Sequence, residues 1–159
     1  MDYQRFLHLL ASNLTAAEKE IKADRAWLET RSPGMKETAL HHFTIEGDLN
    51  VVRLLLRNHA DVNATNSAQQ TALMNAAQLN NSEMVQLLFE HGADHTLKDE
   101  NGDTALHVAV EGGCMKAAGA LIAAGSDINQ RNGLGDDLRT IVPYKKLAAL
   151  ELLLQGLTG

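Results

Sequence analysis

Seven histidines and one cysteine are the residues of this 159-residue chain best suited to hold a metal or attack a substrate. Their spacing suits neither task. His41 and His42 are adjacent, so on a helix they point about 100° apart and do not share one ion. His91 and His95 are four apart, but Gly92 interrupts the helix that would align them. Cys114 follows Gly113 near a helix start, where a thiol pKa can fall; it is read instead as a variable surface position between two helices. A single cysteine excludes an internal disulfide framework and a multi-cysteine zinc site, and fits a reducing cytoplasm. Gly133-Leu134-Gly135 lacks both the preceding strand and the following Lys-Ser or Lys-Thr of a phosphate loop. Asp99-Glu100 and Asp136-Asp137 fall on turns, where they read as solvated acidic tips. No catalytic residue, metal or cofactor is assigned, and no enzyme is expected.

The elements that would carry these residues are helical. The chain has 25 Leu and 22 Ala against six aromatics and two Pro, and Leu and Ala are the strongest apolar helix formers. An apolar fraction of 45% is too high for a disordered chain. No apolar run is long enough for a membrane span. The first ten residues include Asp2, Arg5 and His8 with no small-residue cleavage site after them, so no secretory signal is expected. A net charge of −6 supplies no basic field for a phosphate backbone. The acidity is concentrated in residues 32–131, which carry twelve acidic and six basic groups, while both ends are balanced.

The middle of the chain repeats. Thr38-Ala39-Leu40-His41 recurs as Thr71-Ala72-Leu73-Met74 and as Thr104-Ala105-Leu106-His107, each step 33 residues long. Val52-Arg53-Leu54-Leu55-Leu56, Val85-Gln86-Leu87-Leu88-Phe89 and Ala118-Gly119-Ala120-Leu121-Ile122 keep the same step. So do the closing segments that start at His59, Gly92 and Gly125. A period of this length marks a stack of supersecondary units.

These blocks resemble the ankyrin repeat, strongly over residues 33–131 and weakly over 132–155. The resemblance implies an all-α repeat solenoid of stacked helix-turn-helix units with β-turn or hairpin tips. Each Thr starts a first helix, where its hydroxyl can satisfy a free backbone N–H; these helices are expected at 38–46, 71–79 and 104–111. The family usually has Pro after this Thr, and here Ala39, Ala72 and Ala105 stand in its place. Gly47, Asn80-Asn81 and Gly112-Gly113 break the chain before second helices at 49–58, 82–91 and 115–124. Gly92 and Gly125 end two of these; His59 holds the equivalent place in the first unit, at a cost of about 1 kcal/mol if its φ is positive. His41 and His107 match the family's repeat histidine, which bonds to a neighbouring unit's backbone; Met74 cannot. No unit buries its apolar stripe alone, so neighbours supply each other's interior.

The units are expected at 33–65, 66–98 and 99–131, with a degenerate fourth at 132–159 broken at Pro143. In that fourth unit Leu150, Leu153 and Leu154 form the inner stripe, and Arg139, Lys145, Lys146 and Glu151 the polar outside. Residues 1–32 form an N-terminal helical cap. One helix is expected at 3–12 and another from Thr15 to Thr30, because Thr15-Ala16-Ala17-Glu18 reads as a capping box. Trp27 is read as packed; an exposed ring there would suggest a second binding surface.

Function must then reside on a surface. By register with the family, the hairpin tips and exposed sides of the first helices form a concave strip that includes Ile45, Glu46, Ser67, Gln70, Gln78, Leu79, Glu100, Asn101, Asp103, Glu111, Arg131, Leu134 and Asp136. Glu46, Glu100, Asp103, Glu111 and Asp136 bias it toward a partner with a basic patch. Ile45, Leu79 and Leu134 can anchor a contact, although Leu134 also fits inside the last interface. The expected function is a non-enzymatic, cytoplasmic protein-protein interaction module, monomeric in isolation, without nucleic acid or membrane among its partners. The alternative is an inhibitor or immunity protein, antitoxin-like, that neutralises a partner enzyme.

Overall fold

The computed structural model describes residues 2–156; Met1 and the last three residues of the expected fourth unit lie outside that range. Ten α-helices form there in chain order: α1 (Tyr3–Ser12), α2 (Leu14–Ala23), α3 (Ala39–Glu46), α4 (Leu49–Arg57), α5 (Ala72–Gln78), α6 (Ser82–Glu90), α7 (Ala105–Glu111), α8 (Met115–Ala123), α9 (Leu138–Ile141) and α10 (Leu147–Gln155). Among the described residues no strand forms; one isolated antiparallel bridge joins Thr65 to Thr71 at a tip.

The local rules that place these helices recur every 33 residues. Thr38, Thr71 and Thr104 sit at the N-caps of α3, α5 and α7 with extended backbones. Asp48 and Asn81 cap α4 and α6 through side-chain oxygens that accept backbone N–H groups. The breaks between paired helices turn on Gly47 (φ 75°), Asn80 (φ 55°) and Gly113 (φ 67°), while Gly112 keeps a helical φ. His59 has a φ of 64°, in register with Gly92 and Gly125.

The helices stack in two rows. The first helices pack as α1 on α3, α3 on α5, α5 on α7 and α7 on α9. In the second row α2 meets α4, α6 meets α8 and α8 meets α10. The core between them is a ladder of equivalent positions. Val51, Met84, Ala117 and Leu150 are all at most 1% exposed, and Leu55, Leu88, Leu121 and Leu154 are buried beside them. Burying one such leucine contributes about 2 kcal/mol, and each unit's stripe is completed by its neighbour.

The N-terminal pair differs from the expected one. The second helix is capped by Asn13, whose side chain accepts from the Ala16 N–H at 3.0 Å, so it begins at Leu14 and the Thr15 capping box does not form. It stops at Ala23, because Asp24 accepts from the Ala26 N–H and starts a separate 3-10 turn, Arg25–Glu29. This turn seats Trp27, which is half-buried and stacks on Phe6 with ring centroids 5.3 Å apart. The pair is tied to the first unit by the Tyr3 hydroxyl, which donates to the Thr38 carbonyl at 3.3 Å. Burial, with the Glu37 carboxylate adding to it, pushes the Tyr3 pKa up to about 12.

At the other end the ladder changes chemistry. Leu40, Leu73 and Leu106 are buried, but the equivalent residue of the fourth unit is Arg139. Val52, Val85 and Ala118 are buried, but their equivalent is Glu151. These two replacements meet: Arg139 Nε lies 2.7 Å from Glu151 Oε1, with the side chains 60% and 37% exposed. The last unit keeps Leu150 and Leu154 for its inner contact, and Leu153 packs over Gly119. It turns an ion pair outward where the earlier units present aliphatic carbon.

Candidate interaction surface

The tips are built alike. Asn66, Asp99 and Asn132, each 33 residues on, turn a side-chain oxygen back on two backbone N–H groups of their own tip. Each tip then passes through a positive φ, at Gln69 (59°), Gly102 (78°) and Gly135 (84°). Neighbouring tips are joined edge to edge: the Ser67 N–H donates to the Met35 carbonyl at 2.8 Å, and the Glu100 N–H to the Ala68 carbonyl at 3.1 Å. Between the third and fourth tips, Gly102 and Gly133 are so close that a Cβ on Gly102 would lie 2.5 Å from the Gly133 Cα.

This scaffold sets the expected residues in two rows. On the tips Ser67, Glu100, Asn101, Arg131 and Leu134 are exposed. Gln70, Asp103 and Asp136 are half-buried, since their own N–H groups bond back to Asn66, Asp99 and Asn132. On the first helices Glu46, Gln78 and Glu111 are exposed, with Ile45 at 42% and Leu79 at 50%. Leu134 is 84% exposed and so is not part of the last interface. Among the described residues none of Glu46, Glu100, Asp103, Glu111 and Asp136 is ion-paired. Arg131 is engaged: it donates to the Gly135 carbonyl and lies 3.8 Å from the Asp137 carboxylate. An open groove of about 510 Å³ between α1 and α3, with His42 and Glu46 on its wall, continues the first-helix row toward the N-terminal pair.

Two of the seven histidines and the cysteine are engaged by the fold. His41 accepts at Nδ1 from the Thr38 N–H and donates from Nε2 to the Gln70 carbonyl at 2.9 Å. His107 repeats this with Thr104 and the Gln130 carbonyl. Burial holds both imidazole pKa values below the usual range. Cys114 is not a surface position: it is buried at the N-cap of α8, where its Sγ donates to the Gln78 carbonyl. Among the described residues no group of three or more His, Cys, Asp or Glu side chains is placed to hold a metal ion.

One polar residue beside the strip is not marked by the sequence pattern. Asn75 lies three and four positions before Gln78 and Leu79, on the same stripe of α5, and it is buried. Its register partners His42 and Val108 are chemically unrelated to it, so periodicity gave no signal.

A family model described as ankyrin repeats in three copies matches residues 7–99 and 40–132, and the first match begins inside α1. A probable E3 ubiquitin-protein ligase of Oryza sativa subsp. japonica is 38% identical over 91 residues, which are 57% of this chain and 18% of that protein. A putative ankyrin repeat protein of Escherichia coli, YahD, is 41% identical over 87 residues, 51% of this chain and 43% of the relative. NF-kappa-B inhibitor alpha of Sus scrofa is 40% identical over 73 residues, 46% of this chain and 23% of the relative. In each case the alignment spans less than half of the relative.

Proposed function

Since the chain belongs to the ankyrin repeat family, we propose that it is a non-enzymatic interaction module that holds a partner protein bearing a basic patch against the strip of tips and first helices. The observation that carries this reading is the row of unpaired carboxylates, Glu46, Glu100, Asp103, Glu111 and Asp136, interrupted by the exposed aliphatic groups of Ile45, Leu79 and Leu134. Unpaired acids raise the encounter rate with a cationic surface, and aliphatic anchors supply contact area that slows release. The remaining strip residues Ser67, Gln70, Gln78, Asn101 and Arg131 line the same two rows and provide polar contacts.

The chain acts in this reading as a monomer in a reducing cytoplasm. Neutralisation of a partner enzyme is a narrower form of the same reading, supported by the likeness to a protein named as an inhibitor. Affinity capture from native cell extract, with wild type beside Asp103→Lys/Glu111→Lys, tests the proposal. A partner retained by wild type and lost from the variant supports it. A partner retained equally by both moves the contact off the strip, and turnover of a metabolite by the pure chain overturns the non-enzymatic reading.

A further inference from the structure

We propose that Asn75 is a recognition residue of the strip, whose side-chain oxygen takes a hydrogen bond from a lysine- or arginine-bearing segment of the partner laid across α5. The inference rests on the interaction reading above. Asn75 is 7% exposed, and its Oδ1 is sealed from solvent with no hydrogen-bond partner. Buried polar atoms are nearly always paired, so an unpaired one calls for a cause. Folding does not supply it, because the equivalent position of the third unit is filled by Val108. The position does supply one: Asn75 shares its stripe with Gln78 and Leu79, which face outward. The side chain must rotate to bring the oxygen to a donor on that face, because the atom is sealed in the free chain.

The surroundings state what the donor belongs to. The second unit carries no charge on its part of the strip: Ser67, Gln70, Asn75 and Gln78 are neutral hydrogen-bonding groups. Exposed aliphatic carbon lies beside it, at Ile45 on α3 and at Leu79, the C-cap of α5. The third unit, on the other side, presents Glu100, Asp103 and Glu111, none of them ion-paired. The neutral second unit therefore lies between Glu46 beside Ile45 on one side and Glu100, Asp103 and Glu111 on the other. A segment with an aliphatic side chain and a central N–H donor, flanked by lysine or arginine, matches that arrangement; an acidic segment is repelled.

The test uses the full chain and three synthetic twelve-residue probes: one leucine flanked by lysines, its glutamate counterpart, and an all-lysine peptide. Binding is read by fluorescence anisotropy, and the site by the Asn75 side-chain NH2 resonance. The lysine–leucine probe is expected to saturate, to shift that resonance, and to bind about tenfold more weakly to Asn75→Val. The urea midpoint of free Asn75→Val is expected to rise, because a sealed unpaired atom has gone. Asn75→Ser, which keeps an acceptor, is expected to bind with intermediate affinity. Equal binding by Asn75→Val, a lowered midpoint for that variant, or equal binding of the all-lysine probe overturns the assignment. If Asp103→Lys/Glu111→Lys abolishes binding while Asn75→Val does not, Asn75 has no role and the strip stands. If no lysine probe saturates the wild type, the strip falls as well.

Discussion

His41 donates its Nε2 proton to the carbonyl of Gln70, 2.9 Å away and 29 residues along the chain, and so ties the first unit to the second. The opposite ring nitrogen already accepts the Thr38 N–H, so a second ring proton would point at a donor. His107 is built the same way.

Both imidazoles therefore stay neutral in the folded protein below the pH at which they charge when unfolded. An unfolded histidine titrates near 6.5, and burial lowers both folded values, against a partial opposing pull from the Gln70 carbonyl and then Glu37 at His41, and from the Gln130 carbonyl and then Asp103 and Asp99 at His107. Below about pH 6.5 the unfolded chain binds more protons, so stability is full above that pH and falls as the pH drops. Urea midpoints are expected to decrease from pH 7.5 to pH 5.5. In His41→Gln/His107→Gln the decrease over that interval shrinks, although the variant is less stable at pH 7.5. An unchanged slope in the variant would assign the pH dependence to other groups.

The approach of Gly102 to Gly133 has a direct mutational consequence. A Cβ on Gly133 would run into the Asn101 carbonyl, and one on Gly102 would meet the Gly133 backbone at a φ of 78°. Neither neighbour is a flexible side chain that can swing away. Gly133→Ala and Gly102→Ala are each expected to cost about 2 kcal/mol, measured by urea unfolding. Gly135→Ala, with open space around it but a positive φ, is expected to cost about 1 kcal/mol.

His59 offers the converse. Its φ of 64° stands where the next two units have Gly92 and Gly125. The backbone carbonyl of His59, which Arg25 contacts at 3.5 Å, survives substitution. Relief of the left-handed strain outweighs the entropy that glycine adds to the unfolded chain, so His59→Gly is expected to stabilise by about 0.5 kcal/mol. A lower urea midpoint in that variant would show that the imidazole ring contributes more than its exposure indicates.

The repeated part of the fold is readable from residue types because two of its boundaries carry a local signal at fixed period: Thr at the first cap and Gly or Asn at the break. Where the period stops, the reading weakened. Thr15 and Asn13 are both competent caps; Asn13 takes the Ala16 N–H, and Asp24 caps a separate turn that ends α2 at Ala23. Cys114 was misplaced because its buried thiol bonds across to Gln78, 36 residues away, in a contact no local pattern announces. The strip was legible as a set of positions that escape the core. Asn75 was not, since its distinction lies in an unpaired atom rather than in its spacing.

The outward ion pair of Arg139 and Glu151 also yields a prediction about assembly. At the matching positions the third unit has Leu106 and Ala118, both buried. Leu152 already stands 70% exposed on α10 beside the pair, so two charged side chains interrupt what would otherwise be an apolar stacking face. An exposed ion pair contributes little to stability, about 0.5 kcal/mol, while its removal in favour of aliphatic carbon creates a patch of the kind that associates. Arg139→Leu/Glu151→Ala is therefore expected to keep the fold and the helical circular dichroism signal of wild type but to self-associate as concentration rises from micromolar to hundreds of micromolar, read by light scattering after size exclusion. The single exchange Leu152→Lys, added to that pair, should return the variant to a monomer. A double variant whose mass stays constant over the whole range would mean that Arg139 and Glu151 do not keep the end of the stack apart from a second copy.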